Sequence, residues 1–89
     1  MNIESYLTHP TFGMLFSLCS LEKSQTLFAT LYAQRLFFIV TNDGTSGMRF
    51  DPITRSDART LIEGRIRSLR RESDLEAFRN LQQTYKMLF

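Results

Sequence analysis

The imidazole of His9 and the thiol of Cys19 are the chain's single examples of their kinds, and they bound its chemistry. A thiol beside an imidazole can act as a nucleophile, and either group can ligate a metal, but both roles require further convergent polar groups. The sequence contains no C-x-x-C, no H-E-x-x-H, no G-x-x-x-x-G-K-[ST] and no G-x-G-x-x-G, and Gly13, Gly44, Gly47 and Gly64 lie apart. His9, directly before Pro10, reads as a turn residue, and Cys19, inside an apolar run, reads as a small buried hydrophobe. No catalytic residue, cofactor or metal site is expected, and the chain reads as a non-enzymatic interaction module.

A second group with chemical potential is the series Arg55, Arg59, Arg65, Arg67, Arg70 and Arg71. Guanidinium groups at this density can meet phosphates, so a small basic nucleic-acid-binding protein is the alternative function. Against it, Asp57, Glu63 and Glu72 are interleaved and the whole chain carries a net charge of only +2. Such a mixture usually marks a solvated helix face, and an acidic protein partner is a further reading. The charge is also divided, with −1 on residues 1–53 and +3 on residues 54–89.

The elements that position these residues change character at the same point. Residues 1–53 read as short strands: Phe12 to Leu21, Thr26 to Tyr32, Arg35 to Thr41, Met48 to Phe50, and Ile3 to Leu7. Turns are signalled at His9-Pro10, Glu22-Lys23-Ser24, Asn42-Asp43-Gly44 with Gly47, and Pro52. Short sequential strands of this kind suggest a meander closed into a small barrel. Residues 54–89 switch to helical spacing, with Ala58, Leu61, Ile62, Ile66 and Leu69 on one face. Thr54 or Ser56 can cap that helix, and Gly64 weakens it by up to about 1 kcal/mol relative to Ala. Ser73-Asp74-Leu75-Glu76 reads as a capping box with Ser73 as N-cap, opening a second stripe of Leu75, Phe78, Leu81, Tyr85 and Leu88. The short connection predicts an antiparallel helical hairpin. The fold expected is therefore mixed β+α, with a barrel over residues 1–53 and two helices over residues 54–89.

With 89 residues at 43% hydrophobic and 22% charged, the chain reads as one domain, or one small domain plus an appendage, and disorder throughout is not expected. With Glu4 and no basic stretch near the start, no secretory signal is expected. The run Leu36 to Val40 is far too short to span a bilayer, so no membrane partner is expected and a cytoplasmic location follows by default.

One feature conflicts with a simple half-exposed sheet. Leu27, Ala29 and Leu31 alternate with Phe28, Thr30 and Tyr32, and Leu36, Phe38 and Val40 alternate with Arg35, Phe37 and Ile39, so both faces are apolar. A barrel interior absorbs one of them. The other is either covered by the helices or left as a binding patch, and composition leaves both open.

The stretches YLTHPTFGMLF, TLYAQRLFFIVT, FDPITRSDAR and GRIRSLRR, spread from Tyr6 to Arg71, closely resemble the cyanobacterial family of PII-interacting protein X (PipX). The resemblance implies a Tudor-like (SH3-like) five-stranded barrel followed by two helices. It implies a transcriptional co-activator in nitrogen regulation that exchanges between two partners. One is the trimeric signalling protein PII, bound when 2-oxoglutarate and ATP are scarce and ADP is relatively high. The other is the dimeric transcription activator NtcA in its 2-oxoglutarate-loaded form. Overlapping surfaces make the two exclusive. The family's contacts carry over to Tyr32, Gln34, Arg35, Leu36 and Phe38, with Glu4, Tyr6 and Phe12 nearby. The helices would offer a surface to other transcriptional regulators, and direct nucleic-acid binding is not expected. The resemblance thus tips the surplus apolar face toward an exposed patch centred on Leu31 to Phe38, with Leu27, Leu31, Phe37 and Ile39 anchoring the fold. A shared surface also places metabolite sensing in the partners, so no 2-oxoglutarate or nucleotide site is expected on this chain.

Overall fold

Branched and aromatic residues alternate between turn residues in the first half of the chain, and that pattern folds as an antiparallel meander. The computed structural model describes residues 6–21, 24–30, 36–42 and 47–89. Strands β1 (Tyr6–His9), β2 (Gly13–Ser20), β3 (Gln25–Thr30), β4 (Phe37–Asn42) and β5 (Met48–Ile53) form one sheet in that order. It curls into a half-barrel, and helices α1 (Arg55–Arg71) and α2 (Leu75–Leu88) follow. This is the barrel with helical hairpin that the sequence predicts. One cross-strand row, Tyr6, Phe16, Ala29, Phe37 and Ile53, runs through all five strands and fixes their register.

The strand edges differ from the sequence reading in two places. The first strand, expected over residues 3–7, is observed at Tyr6–His9, and residues 1–5 lie outside the described residues. Pro52, expected in a turn, lies inside β5 opposite Phe38. Among the described residues β5 pairs only with β4, and an edge position tolerates a residue with no N–H to donate.

The sheet is buried on both faces. Leu27, Ala29 and Phe37 turn toward Ala58, Ile62 and Leu69 of α1 and Leu81 of α2. On the other face Leu15, Phe28, Phe38 and Val40 pack together, flanked by Leu7 and Phe50. The pairs Leu27–Ile39, Phe28–Phe38 and Ala29–Phe37 bring like faces into contact. A bulge between Ser17 and Cys19 lets both Leu18 and Cys19 pack toward the helices, which strict alternation would not allow. The expectation that one apolar face of these strands stays exposed is therefore corrected for the described residues of β3 and β4, because the helical hairpin covers it.

Helix α1 starts at Thr54, whose hydroxyl accepts the Asp57 N–H at 3.0 Å. It ends where Ser73 takes a φ of +62°, with Ser73 N–H donating to Arg70 O and Asp74 N–H to Leu69 O. That is a Schellman arrangement, which needs a left-handed residue at this place. Ser73 is therefore not the N-cap of α2. Asp74 is, its carboxylate accepting the Ala77 N–H at 3.3 Å. In α2 Leu81 and Leu88 are buried, Phe78 and Tyr85 are half-buried, and Leu75 is 55% exposed and leaves the stripe.

Candidate partner-binding surface

The end of the sheet where β1 turns into β2 and β3 meets β4 carries two exposed large apolar side chains, Phe12 and Leu36. Thr30 N–H donates to Leu36 O at 3.0 Å, which closes the base of the connection between β3 and β4. Leu15 pairs with Thr30, so the start of β2 and the turn before it sit beside that base. The turn is built by His9, whose Nδ1 accepts the N–H groups of Thr11 at 3.0 Å and Phe12 at 3.2 Å. Both bonds require an unprotonated Nδ1. Gly13 then leaves the turn at φ +76°, a conformation costly for other residues.

The His9 ring ties this turn to the inner core. It lies 4.9 Å from Phe12, 5.4 Å from Phe38 and 5.1 Å from Phe50, and Phe12 lies 5.4 Å from Phe38. Phe12 is thus held by a cluster of rings yet keeps 43% of its surface exposed, as does Leu36. A restrained, half-desolvated aromatic loses little freedom when a partner covers it, which is the character of an interface anchor. Tyr6 is exposed on the opposite side of the edge strand, near Met14, whose sulfur faces the Thr8 hydroxyl across β1 and β2.

Of the residues singled out in the sequence, Glu4, Tyr32, Gln34 and Arg35 lie outside the described residues. Phe12 and Leu36 come together at one end of the sheet, and Tyr6 lies around its edge. Phe38 is only 3% exposed. It supports Phe12 from beneath and belongs to the inner core of the free chain, so its expected place among the exposed side chains is corrected. Its alternation with Phe37 is retained, but each faces a covered core, one inside the curl and one beneath the helices. The part played by His9 was not visible beyond its place in a turn. Nothing in H-P-T-F announces a ring stacked against strands 29 and 41 residues further on.

The arginine series is largely occupied within the hairpin. Arg55 donates to Leu88 O and lies 4.7 Å from the centre of the Phe89 ring. Arg59 donates to the Tyr85 hydroxyl at 3.0 Å, and that hydroxyl donates to Glu63. The Tyr85 hydroxyl, with Arg59 nearby, holds the Glu63 carboxyl below its usual range, while the same hydroxyl and Glu63 raise Arg59. Arg65 faces Glu72 at 3.6 Å. The Arg55 and Arg59 contacts join the two helices, the Arg65–Glu72 pair lies within α1 and its cap, and together they leave fewer cations for phosphates. Cys19 packs beside the helix-side core, where burial pushes its thiol up to about 11 although Arg65 pulls the other way. His9 and Cys19 thus belong to different faces of the sheet and form no pair. Among the described residues no cluster of metal-ligating side chains occurs, and no helix is long and apolar enough to cross a membrane.

Comparison with functionally curated proteins finds no match. The family model of PipX, PII-interacting protein X, matches residues 3–89, essentially the whole chain from the edge strand through the second helix. With its five-stranded half-barrel and C-terminal helical hairpin, the chain belongs to the PipX family, the PII-interacting protein X family.

Proposed function

We propose that this chain is a regulatory adaptor that binds PII through the end of the barrel carrying Phe12 and Leu36, together with Glu4, Tyr6, Tyr32, Gln34 and Arg35. Membership of a PII-interacting family supports the partner, and that family is regulatory and not an enzyme family. The observation that carries the choice of surface is that Phe12 and Leu36 are the large hydrophobic residues left exposed beside the base of the β3–β4 connection, while both faces of β3 and β4 are covered. The second partner is NtcA in its 2-oxoglutarate-loaded form, whose transcriptional activity the chain enhances. Both partners take the same end of the barrel, so each excludes the other and relative affinity decides occupancy.

The test is calorimetric titration of the purified chain with PII in ADP and in ATP plus 2-oxoglutarate, and with NtcA with and without 2-oxoglutarate. Binding to PII in ADP, to NtcA with 2-oxoglutarate, and displacement of one by the other is the expected result. Simultaneous binding of both refutes the shared surface. Tyr32→Ala and Arg35→Ala should each weaken both complexes by about 1–4 kcal/mol with the fold intact. Direct nucleic-acid binding loses support because Arg55, Arg59 and Arg65 are engaged within the hairpin.

A further inference from the structure

His9 is tied into the Phe12 end of the barrel more closely than a turn residue needs to be. Its Nδ1 accepts from the backbone of the residues two and three further on, Thr11 at 3.0 Å and Phe12 at 3.2 Å. An Asn or Asp side-chain oxygen usually closes a turn of this kind. The carboxamide of Asn would hold both N–H groups at any pH. An imidazole holds them only while Nδ1 is bare and the ring's one proton is on Nε2.

The same side chain controls Phe12 a second time, through its ring. His9, Phe12 and Phe38 contact one another with centroids 4.9–5.4 Å apart, and Phe50 closes the group edge-on to His9 at 5.1 Å. His9 itself is half-buried. A second proton would turn Nδ1 into a donor facing two other donors and break both bonds. The faces of the Phe rings tolerate a cation, so the loss falls on the turn and not on the ring cluster.

The ionisable groups on the surrounding elements are few. Residues 10–12 and β4 contain none. β2 contributes Cys19, which packs on the helix side of the sheet. β5 contributes Arg49 and Asp51, which pair with each other and by alternation lie on the face opposite Phe50. β1 contributes Tyr6, on the face opposite His9 by the same rule. Among the described residues, then, no carboxylate is placed to compensate a charged His9.

We propose that neutral His9 is a positioning residue for the Phe12 anchor, and that its protonation releases the turn and weakens partner binding at this end of the barrel. Acid favours the released turn and base the closed one. The inference rests on the assignment of PII to this end and adds to it a proton-dependent step within the chain itself.

The test compares three chains at pH 8 and pH 6, which bracket the range where imidazoles ordinarily titrate. In calorimetric titrations with PII in ADP, the wild-type chain should bind about threefold or more weaker at pH 6, as the closed fraction falls. His9→Asn keeps the acceptor and does not titrate, so it reports the response of PII itself to pH and should weaken less than the wild type. His9→Phe keeps a ring without the acceptor and should bind about tenfold weaker at pH 8. Equal pH responses of the wild type and His9→Asn, or wild-type affinity in His9→Phe, overturn the proposal. Amide chemical shifts of the free wild-type chain give an answer that needs no partner. The Thr11 and Phe12 amides should move with the same midpoint as the His9 ring protons, while those of Leu15 and Val40 stay in place. Thr11 and Phe12 amides that hold still as the ring titrates overturn the proposal. A wild-type chain that fails to bind PII at pH 8 refutes the assignment of the surface instead, and the free-chain titration then decides the role of His9 alone.

Discussion

Phe12 and Phe38 touch, yet their truncation should have opposite consequences. Phe38 is 3% exposed in a core with Leu15, Phe28 and Val40. Replacing such a residue with Ala costs about 3–5 kcal/mol through lost transfer energy and the cavity left behind. A domain of this size has only about 4–13 kcal/mol in total, so Phe38→Ala should be barely folded or unfolded. Phe12 buries just over half its surface, and its ring is worth about 1–1.5 kcal/mol on the scale of about 1.5–3 kcal/mol for full burial. Urea unfolding separates the two: with a slope near 1 kcal/mol per molar, Phe12→Ala should lower the midpoint by about 1 M and Phe38→Ala by several. Calorimetry with PII then reads the surface role of Phe12, where a loss of about tenfold or more is expected from a well-folded variant. If Phe12→Ala unfolds the chain as readily as Phe38→Ala, the residue is core. If it folds and binds PII with unchanged affinity, the surface is misassigned.

Three smaller perturbations test the packing. Ser73→Gly removes a left-handed strain of about 1–2 kcal/mol and adds about 0.5–1 kcal/mol of unfolded-state freedom, so a net gain of about 0.5–1 kcal/mol should appear as a melting temperature several degrees higher. A fall would show that the Ser73 side chain contributes something the geometry does not reveal. Among the described residues the buried Thr30 hydroxyl has no hydrogen-bond partner, a penalty of about 1–3 kcal/mol, and Thr30→Val should raise the urea midpoint. An unchanged or lower midpoint would mean that the hydroxyl is satisfied in solution. Cys19 loses its proton near pH 9 when unfolded and near 11 when folded, so stability should fall as pH rises through that window. Thermal melts of the wild-type chain and Cys19→Ala across pH 8–11 check the sign, since the variant should lose the Cys19 share of that slope.

The meander and the helical hairpin were legible because they rest on local rules. Period-two runs broken by turn residues gave the strands, and the stripe from Ala58 to Leu69 gave α1. What was not legible depended on contacts distant in sequence. Whether Leu27, Ala29 and Phe37 were covered turned on where Ile62, Leu69 and Leu81 would land, and no local pattern states that. The Ser73 error was of another kind. S-D-L-E fits a capping box, but Ser73 was already committed to ending α1, and the adjacent Asp74 could cap α2 as well. The place of Phe38 was not legible because the unbroken apolar run Leu36 to Val40 supports either face. Only its pairing with Phe28 and its contacts with His9 and Phe12 fix it inside the curl.

Covering a sheet on both faces constrains what it can bind. β3 and β4 have the inner core on one side and the helices on the other, so their described residues offer a partner no broad face. What remains is the end bearing Phe12 and Leu36, the outer side of β1 at Tyr6 and Met14, and the β5 edge. The β5 edge is interrupted by Pro52 and carries the Arg49–Asp51 pair at 2.9 Å, so it is poorly suited to accept another strand. The end is then the natural place for a large partner, and it is small. Two partners that both need Phe12 and Leu36 cannot share them, so on the proposed reading exclusivity follows from the small extent of exposed apolar surface at this end of the sheet, without any change of shape in the barrel.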